Sequence, residues 1–290
     1  MKTLIIEGFL KLVALLPLAL ARAMARGLAK LLVLFNNDIS RITSLNLAMT
    51  QPQLDAAELK SLSRKSMAST MVNAFEMPII WQKNDDWLER KILAVENDQL
   101  MRAALAEAKG VIVICPHIGN WEVFGRHLPS YGPTTNLYQP PKLVAVENIV
   151  RRGRERSGAS LVPTNQRGMA ALLKALKRGE ITGILPDQVP QPNSGEFTDF
   201  FGKPAYTMTL VHKLVKKTRC KVILGYALRV KGGFKIVYQV APEEIYSEDQ
   251  LSSVKALSQM IEMAIEDDMA QYQWAYKRFK AQPEGLHDPY

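Results

Sequence analysis

Two short apolar runs constrain this chain more than any other feature. Residues 111–115 read VIVIC and residues 181–185 read ITGIL. Runs of this length with little polar alternation fit strands covered on both faces. Each follows a helix-forming stretch closed by a glycine, Gly110 in one case and Gly179 in the other,. Strands alternating with helices imply a mostly parallel sheet between helical layers. Such sheets bind ligands at the carboxyl ends of their strands. Two polar residues fall there, His117 after the first run and Asp187 after the second.

The remaining pattern fits this frame. Leu54 to Phe75 and Trp87 to Lys109 read as helices. The segment VENIVRRGRERSG reads as a helix ending near Gly158, and Ser160 to Val162 as a strand. Met169, Leu172, Leu173 and Leu176 form one apolar helix face,. A loop rich in Pro, Gly and Asn closes at Phe200-Phe201-Gly202, and a helix is expected over 207–218. Lys221–Arg229 and Phe234–Val240 read as a hairpin through Gly232-Gly233, which makes the sheet mixed,. Ser247 with Gln250 suggests a capping box for a last helix, with Leu251, Val254, Leu257, Ile261 and Ile265 as its buried stripe,. The expected fold is therefore α/β, a mixed and mostly parallel sheet flanked by helices. A membrane-associating helix is expected over 1–35 and a single domain over 36–290. Within it, 36–110 is helical, 111–240 the α/β core, and 241–290 a helix and tail.

The N-terminus carries its own signal. From Leu4 to Ala21 only Glu7 and Lys11 interrupt an apolar run, and Arg22, Arg26 and Lys30 follow. An anchor whose flanking cations hold the rest of the chain in the cytoplasm fits this pattern. An interfacial helix with those cations on lipid phosphates fits as well. The alternative is an ordinary helix packed on the domain. The net charge of +9 suits an anionic partner without choosing among nucleic acid, membrane and acidic carrier,. Two isolated cysteines, Cys115 and Cys220, provide neither a disulfide framework nor a metal cluster,.

The chemistry concentrates at PHIGNWE, residues 116–122. On a straight helix, residues five apart point about 140° away from each other. His117 and Glu122 meet only if Gly119-Asn120 bends the chain, and that pair tolerates a bend. A neutral imidazole can take the proton of an attacking hydroxyl. A carboxylate on its other ring nitrogen would fix the tautomer and stabilise the imidazolium. Cys115 as a nucleophile is disfavoured, because Pro116 breaks the alternation that would align it with His117. Alone, a His-x4-Glu spacing is weak; its bland counterpart is a hydrogen-bonded histidine beside a solvated glutamate.

The order of further motifs strengthens it. PHIGNWE, YQPP at 138–141, RRGRER at 151–156, RG at 167–168, GILPDQ at 183–188, FFGKPA at 200–205 and QWAYKRFK at 273–280 follow one another. In this order the chain resembles the late acyltransferases of lipid A biosynthesis, relatives of the glycerolipid acyltransferases with an HX4D/E motif. The likeness spans roughly residues 5–285.

The resemblance implies a glycerolipid acyltransferase-like fold and transfer of a laurate- or myristate-class chain. The donor would be acyl carrier protein and the acceptor a hydroxyl of a Kdo-bearing lipid A precursor. It implies action on the cytoplasmic face of a bacterial inner membrane, in contact with phospholipid, with no cofactor, metal or nucleic acid. The catalytic pair falls on His117 and Glu122, a basic-helix arginine on Arg154, and the aspartate after proline on Asp187. Arg151 and Arg167 are weaker substrate-binding candidates, each set against a solvated helix face. Where this family usually has a histidine near the C-terminus, this chain has Tyr276, which removes that position from the catalytic set. Lys203 to Lys235 hold nine basic residues and no acidic one, which suits an acidic carrier or an anionic surface, or a plain soluble face. His212 and Phe200-Phe201 are read as core. The rivals are an acyltransferase with another glycerolipid or glycolipid acceptor, and a basic lipid-binding protein without turnover.

Overall fold

The computed structural model describes residues 2–33, 35, 37–141 and 144–290. Leu34 and Asn36, beside the expected boundary between 35 and 36, lie outside the described residues. Helices α1 (Lys2–Leu15) and α2 (Leu18–Leu32) are separated at Pro17. Proline lacks an N–H and disfavours helix at the residue before it, so the long apolar run becomes two helices. Among the described residues no helix is long and apolar enough to cross a membrane. Helix α2 packs on the long α4 (Ala56–Gln82), which follows α3 (Asp38–Thr50). Asp55 and Glu58 form a capping box that starts α4,.

Strand β1 (Ile92–Glu96) lies inside the stretch expected to be helical. It follows the short α5 (Asp85–Glu89) and precedes α6 (Asp98–Ala106). Its pairing with a strand more than 130 residues away overrides its local pattern,. Then come β2 (Val111–Ile114), α7 (Trp121–His127), β3 (Thr135–Tyr138), α8 (Val144–Glu155), β4 (Ser160–Pro163), α9 (Gln166–Lys177) and β5 (Ile181–Ile184). The end of the expected Pro-rich loop is a strand, β6 (Gly195–Phe200), which forms a hairpin with β7 (Lys203–Met208), turning at Phe201-Gly202 with φ of 48° and 70°. Helix α10 (Leu210–Thr218), β8 (Lys221–Val230), β9 (Gly233–Val240) and α11 (Gln250–Asp267) complete the set. Asp249 caps α11 through the Ser252 N–H, in place of the expected Ser247. Leu251 is exposed, whereas Val254, Leu257, Ile261 and Ile265 are buried.

The main sheet runs β1-β9-β8-β2-β5. Its neighbours are parallel except the β8–β9 hairpin, so the mixed, mostly parallel sheet expected from the sequence is present. Side chains alternate across it. Ile112, Ile114, Val222 and Leu224 pack toward α9, α10 and α11, while Val111, Val113, Ile223 and Ala227 pack toward α4, α6 and α7,. Every residue of β2 is fully buried. That burial fixes the strand's register, and with it the position of the turn beyond Ile114.

Candidate active site

The chain leaves β2 through Cys115-Pro116 and turns at His117-Ile118-Gly119-Asn120. Gly119 adopts φ +57°, and a Cβ there would lie 1.9 Å from the Ala227 carbonyl oxygen. Only glycine combines that conformation with so close an approach. The turn is stitched down on both sides. The Gly119 N–H donates to the Gln271 carbonyl at 3.0 Å, and the Asn120 N–H to the Ala227 carbonyl at 2.8 Å. The Gln273 N–H donates to the His117 carbonyl at 3.0 Å. Asn120 then caps α7, its side-chain oxygen accepting from the Val123 N–H at 3.1 Å,.

Strand pairing brings the two strand-end residues together. Ile114 of β2 pairs with Ile184 of β5. His117 and Asp187 each lie three residues beyond that pair. One Asp187 oxygen accepts from the His117 backbone N–H at 2.9 Å and the other lies 2.8 Å from His117 Nδ1. Burial opposes the charge on Asp187, but the facing imidazole and its hydrogen bonds outweigh burial and hold the carboxyl below its ordinary range,. An ionised carboxylate only accepts, so Nδ1 carries a hydrogen, and in the neutral ring the lone pair falls on Nε2,. Gln188 Nε2 lies 3.4 Å from that nitrogen, and the Trp121 ring stands edge-on at 4.8 Å.

Glu122 does not hold His117 in this geometry, contrary to the expected pairing. The bend forms, but it places Glu122 in the first turn of α7, where α8 supplies its partner. Arg154 donates to both Glu122 oxygens, from Nε at 3.0 Å and from Nη2 at 2.6 Å. Burial works against the Glu122 charge, and Arg154 with His117 more than compensates, leaving this carboxyl also lowered. The Arg154 guanidinium lies over the Tyr138 ring at 5.5 Å. His117, Glu122 and Arg154 border one cavity of about 260 Å³. A second cavity of about 510 Å³ shares its wall at Leu137, Gln139, Gly183 and Leu185.

The other candidates lie apart. Arg151 is exposed and pairs with Glu155, one turn along α8. Arg167 is exposed in the first turn of α9 and borders neither of these cavities. Cys115 borders the first cavity, but burial, then Asp187 and Glu122, push its thiol well up, which keeps it protonated,. The Tyr276 hydroxyl accepts from the Val189 N–H at 3.0 Å, supporting the segment after Asp187. Lys216 and Arg219 pair with Glu248, while Lys213 borders the second cavity.

Sequence reasoning missed Glu76, a fully buried carboxylate on α4. It accepts from Arg22 Nε and Arg229 Nε, both at 2.6 Å, and from Asn120 Nδ2 at 2.9 Å. It thereby joins α2, β8 and the turn that carries His117. Arg22 is consequently interior, which corrects its expected place on lipid phosphates; Arg26 and Lys30 are exposed. A charge among buried positions of α4 was the only signal for this role.

Comparison with known proteins identifies the family. The family model of bacterial lipid A biosynthesis acyltransferases matches residues 2–281. The chain is 24% identical to a lipid A biosynthesis lauroyltransferase of Escherichia coli over 98% of its own length and 92% of the relative's. It is 26% identical to a palmitoleoyltransferase of lipid A biosynthesis from the same bacterium, over 84% and 79%. A myristoyltransferase of lipid A biosynthesis, also from that bacterium, is 23% identical over 85% and 76%. The chain belongs to the bacterial lipid A biosynthesis acyltransferases.

Proposed function

We propose that this enzyme transfers a laurate- or myristate-class chain from acyl carrier protein to a hydroxyl of a Kdo-bearing lipid A precursor, with His117 as general base. The observation that carries this is the Asp187 carboxylate on Nδ1, which leaves Nε2 as the basic nitrogen. The acceptor oxygen attacks the thioester carbonyl as its proton moves to Nε2. The tetrahedral adduct then expels the carrier thiolate, which recovers that proton from the imidazolium. Asp187 orients the ring and stabilises its charge by direct contact. Glu122 adds a second negative charge nearby, kept ionised by Arg154. Arg154 also presents a cation to a phosphosugar.

A membrane location is supported by the N-terminal helices. Among the described residues, eight of thirteen large exposed apolar side chains fall between Phe9 and Ile39. That surface suits seating in one leaflet of the inner membrane from the cytoplasmic side. The test is to incubate purified enzyme with lauroyl and myristoyl carrier thioesters and the Kdo-bearing acceptor. Mass spectrometry should show one added chain, absent with His117→Ala. No acylated acceptor, or full activity in that variant, defeats the reading.

A further inference from the structure

Gly125 occupies the interior of α7, where glycine is among the least favourable residues,. Its backbone does not require it, since its φ lies outside the left-handed region. Its neighbours do not require it either, because a Cβ there would meet nothing within 4 Å. Other helical glycines differ. A Cβ at Gly153 would strike Trp81, and one at Gly168 would strike the Pro163 carbonyl. Gly8 and Gly27 also have open space, but they are exposed on α1 and α2. Gly125 instead borders the cavity that holds His117 and Glu122.

Helical spacing puts it there. Trp121, Gly125 and Leu128 follow one another at steps of four and three, which keep them on one face, and Gly125 also lies one turn after Glu122,. A side chain at 125 would therefore project into the space beside the catalytic residues. The cavity has a polar side, formed by His117, Glu122, Asn136, Gln139 and Arg154, and an apolar side. Cys115, Phe124 and Leu128 are at most 2% exposed, and Leu161 and Leu185 continue the lining.

We propose that Gly125 sets how much hydrocarbon this cavity accepts, and so acts as a chain-length determinant for the transferred acyl group. This rests on the acyl-transfer reading of the site. The glycine trades helix stability for cavity space.

The test compares wild type, Gly125→Ala and Gly125→Leu with carrier thioesters from eight to eighteen carbons. Gly125→Ala should raise Tm by about 2 °C, because alanine favours helix. It should also lower kcat/KM for the longest accepted chain about tenfold relative to a chain two carbons shorter. Gly125→Leu should move the optimum to shorter chains. Identical profiles in all three proteins, or a uniform loss at every length, overturns the proposal. Binding of cis-parinaric acid, a fluorescent fatty acid, gives a readout that needs no turnover. Loss of binding in Gly125→Leu supports the site even if wild type transfers no chain, which would instead defeat the acyl-transfer reading. Equal binding in both proteins overturns the site.

Discussion

Asp187 grips His117 twice, one oxygen on its backbone N–H and the other facing Nδ1. The turn and the ring are thus fixed by one carboxylate. That carboxylate comes from the neighbouring parallel strand's end, so sheet register itself aims the imidazole.

Asp187→Asn should therefore lower kcat by about 10²–10⁴-fold, the range expected when general-base catalysis is impaired. The asparagine oxygen can still accept from the His117 N–H, so folding should survive. Its amide can face Nδ1 as a donor, which favours the wrong tautomer. Steady-state kinetics beside circular dichroism checks this. A folded variant within twofold of wild type would sink the orienting role.

The Glu122–Arg154 pair predicts a stability pattern. Arg154→Ala leaves a buried carboxylate without its cation and should cost about 2 kcal/mol. The figure sits below that for fully buried pairs because 35% of the Arg154 side chain is exposed,. Adding Glu122→Gln should recover part of that loss. Glu122 and Asp187 are both lowered relative to ordinary values of 4.5 and 3.8. An unfolded chain takes up their protons first as pH falls. Their stabilisation is thus present above the ordinary carboxylate range and is lost as pH falls through the depressed folded values. Tm measured from pH 7 down to pH 3 should fall more steeply in wild type than in Glu122→Gln. Parallel curves would contradict the depressed Glu122 value.

The turn at Gly119-Asn120 was legible because its cause is local: a strand, a proline, and a glycine before a helix cap. The partner of His117 was not. Glu122 is five residues away in sequence and Asp187 seventy, yet strand pairing makes the distant residue adjacent. Strand β1 was hidden for the same reason, its pairing lying at β9. Arg22 misled by sitting among apolar residues beside two cations that do face outward. Its interior place depends on Glu76 from another helix, which no periodicity in α2 reveals.

Glu76 should act on catalysis through Asn120. Asn120→Ser keeps a good helix cap but removes the hydrogen bond to Glu76,. It should lower kcat with little change in KM or Tm, because the turn is released while the cavity walls stay. Glu76→Gln should impair kcat and also lower Tm, since Arg22 and Arg229 lose their buried counter-charge,. In the double variant the kcat losses should not multiply, since both remove one interaction. Fully multiplicative losses would separate Glu76 from the turn.

The outer face of α2 should bind lipid. Helix α2 buries Ala21, Arg22, Ala25 and Ala29 against the domain and exposes Leu20, Met24 and Leu31. Its exposed cations, Arg26 and Lys30, lie between and beside those side chains. Each buried leucine-sized side chain contributes roughly 1.5–3 kcal/mol when fully removed from water. A basic residue near an anionic surface adds about 1 kcal/mol. Leu20→Ser with Met24→Ser should weaken vesicle binding by at least about tenfold, even allowing for partial insertion. The fold should persist, because the altered residues are on the outer side of α2. Arg26→Gln with Lys30→Gln should weaken binding to anionic vesicles while sparing neutral ones. Sedimentation with vesicles of each composition reads both effects. If the serine variant sediments as wild type does, this face of α2 is not what meets the membrane.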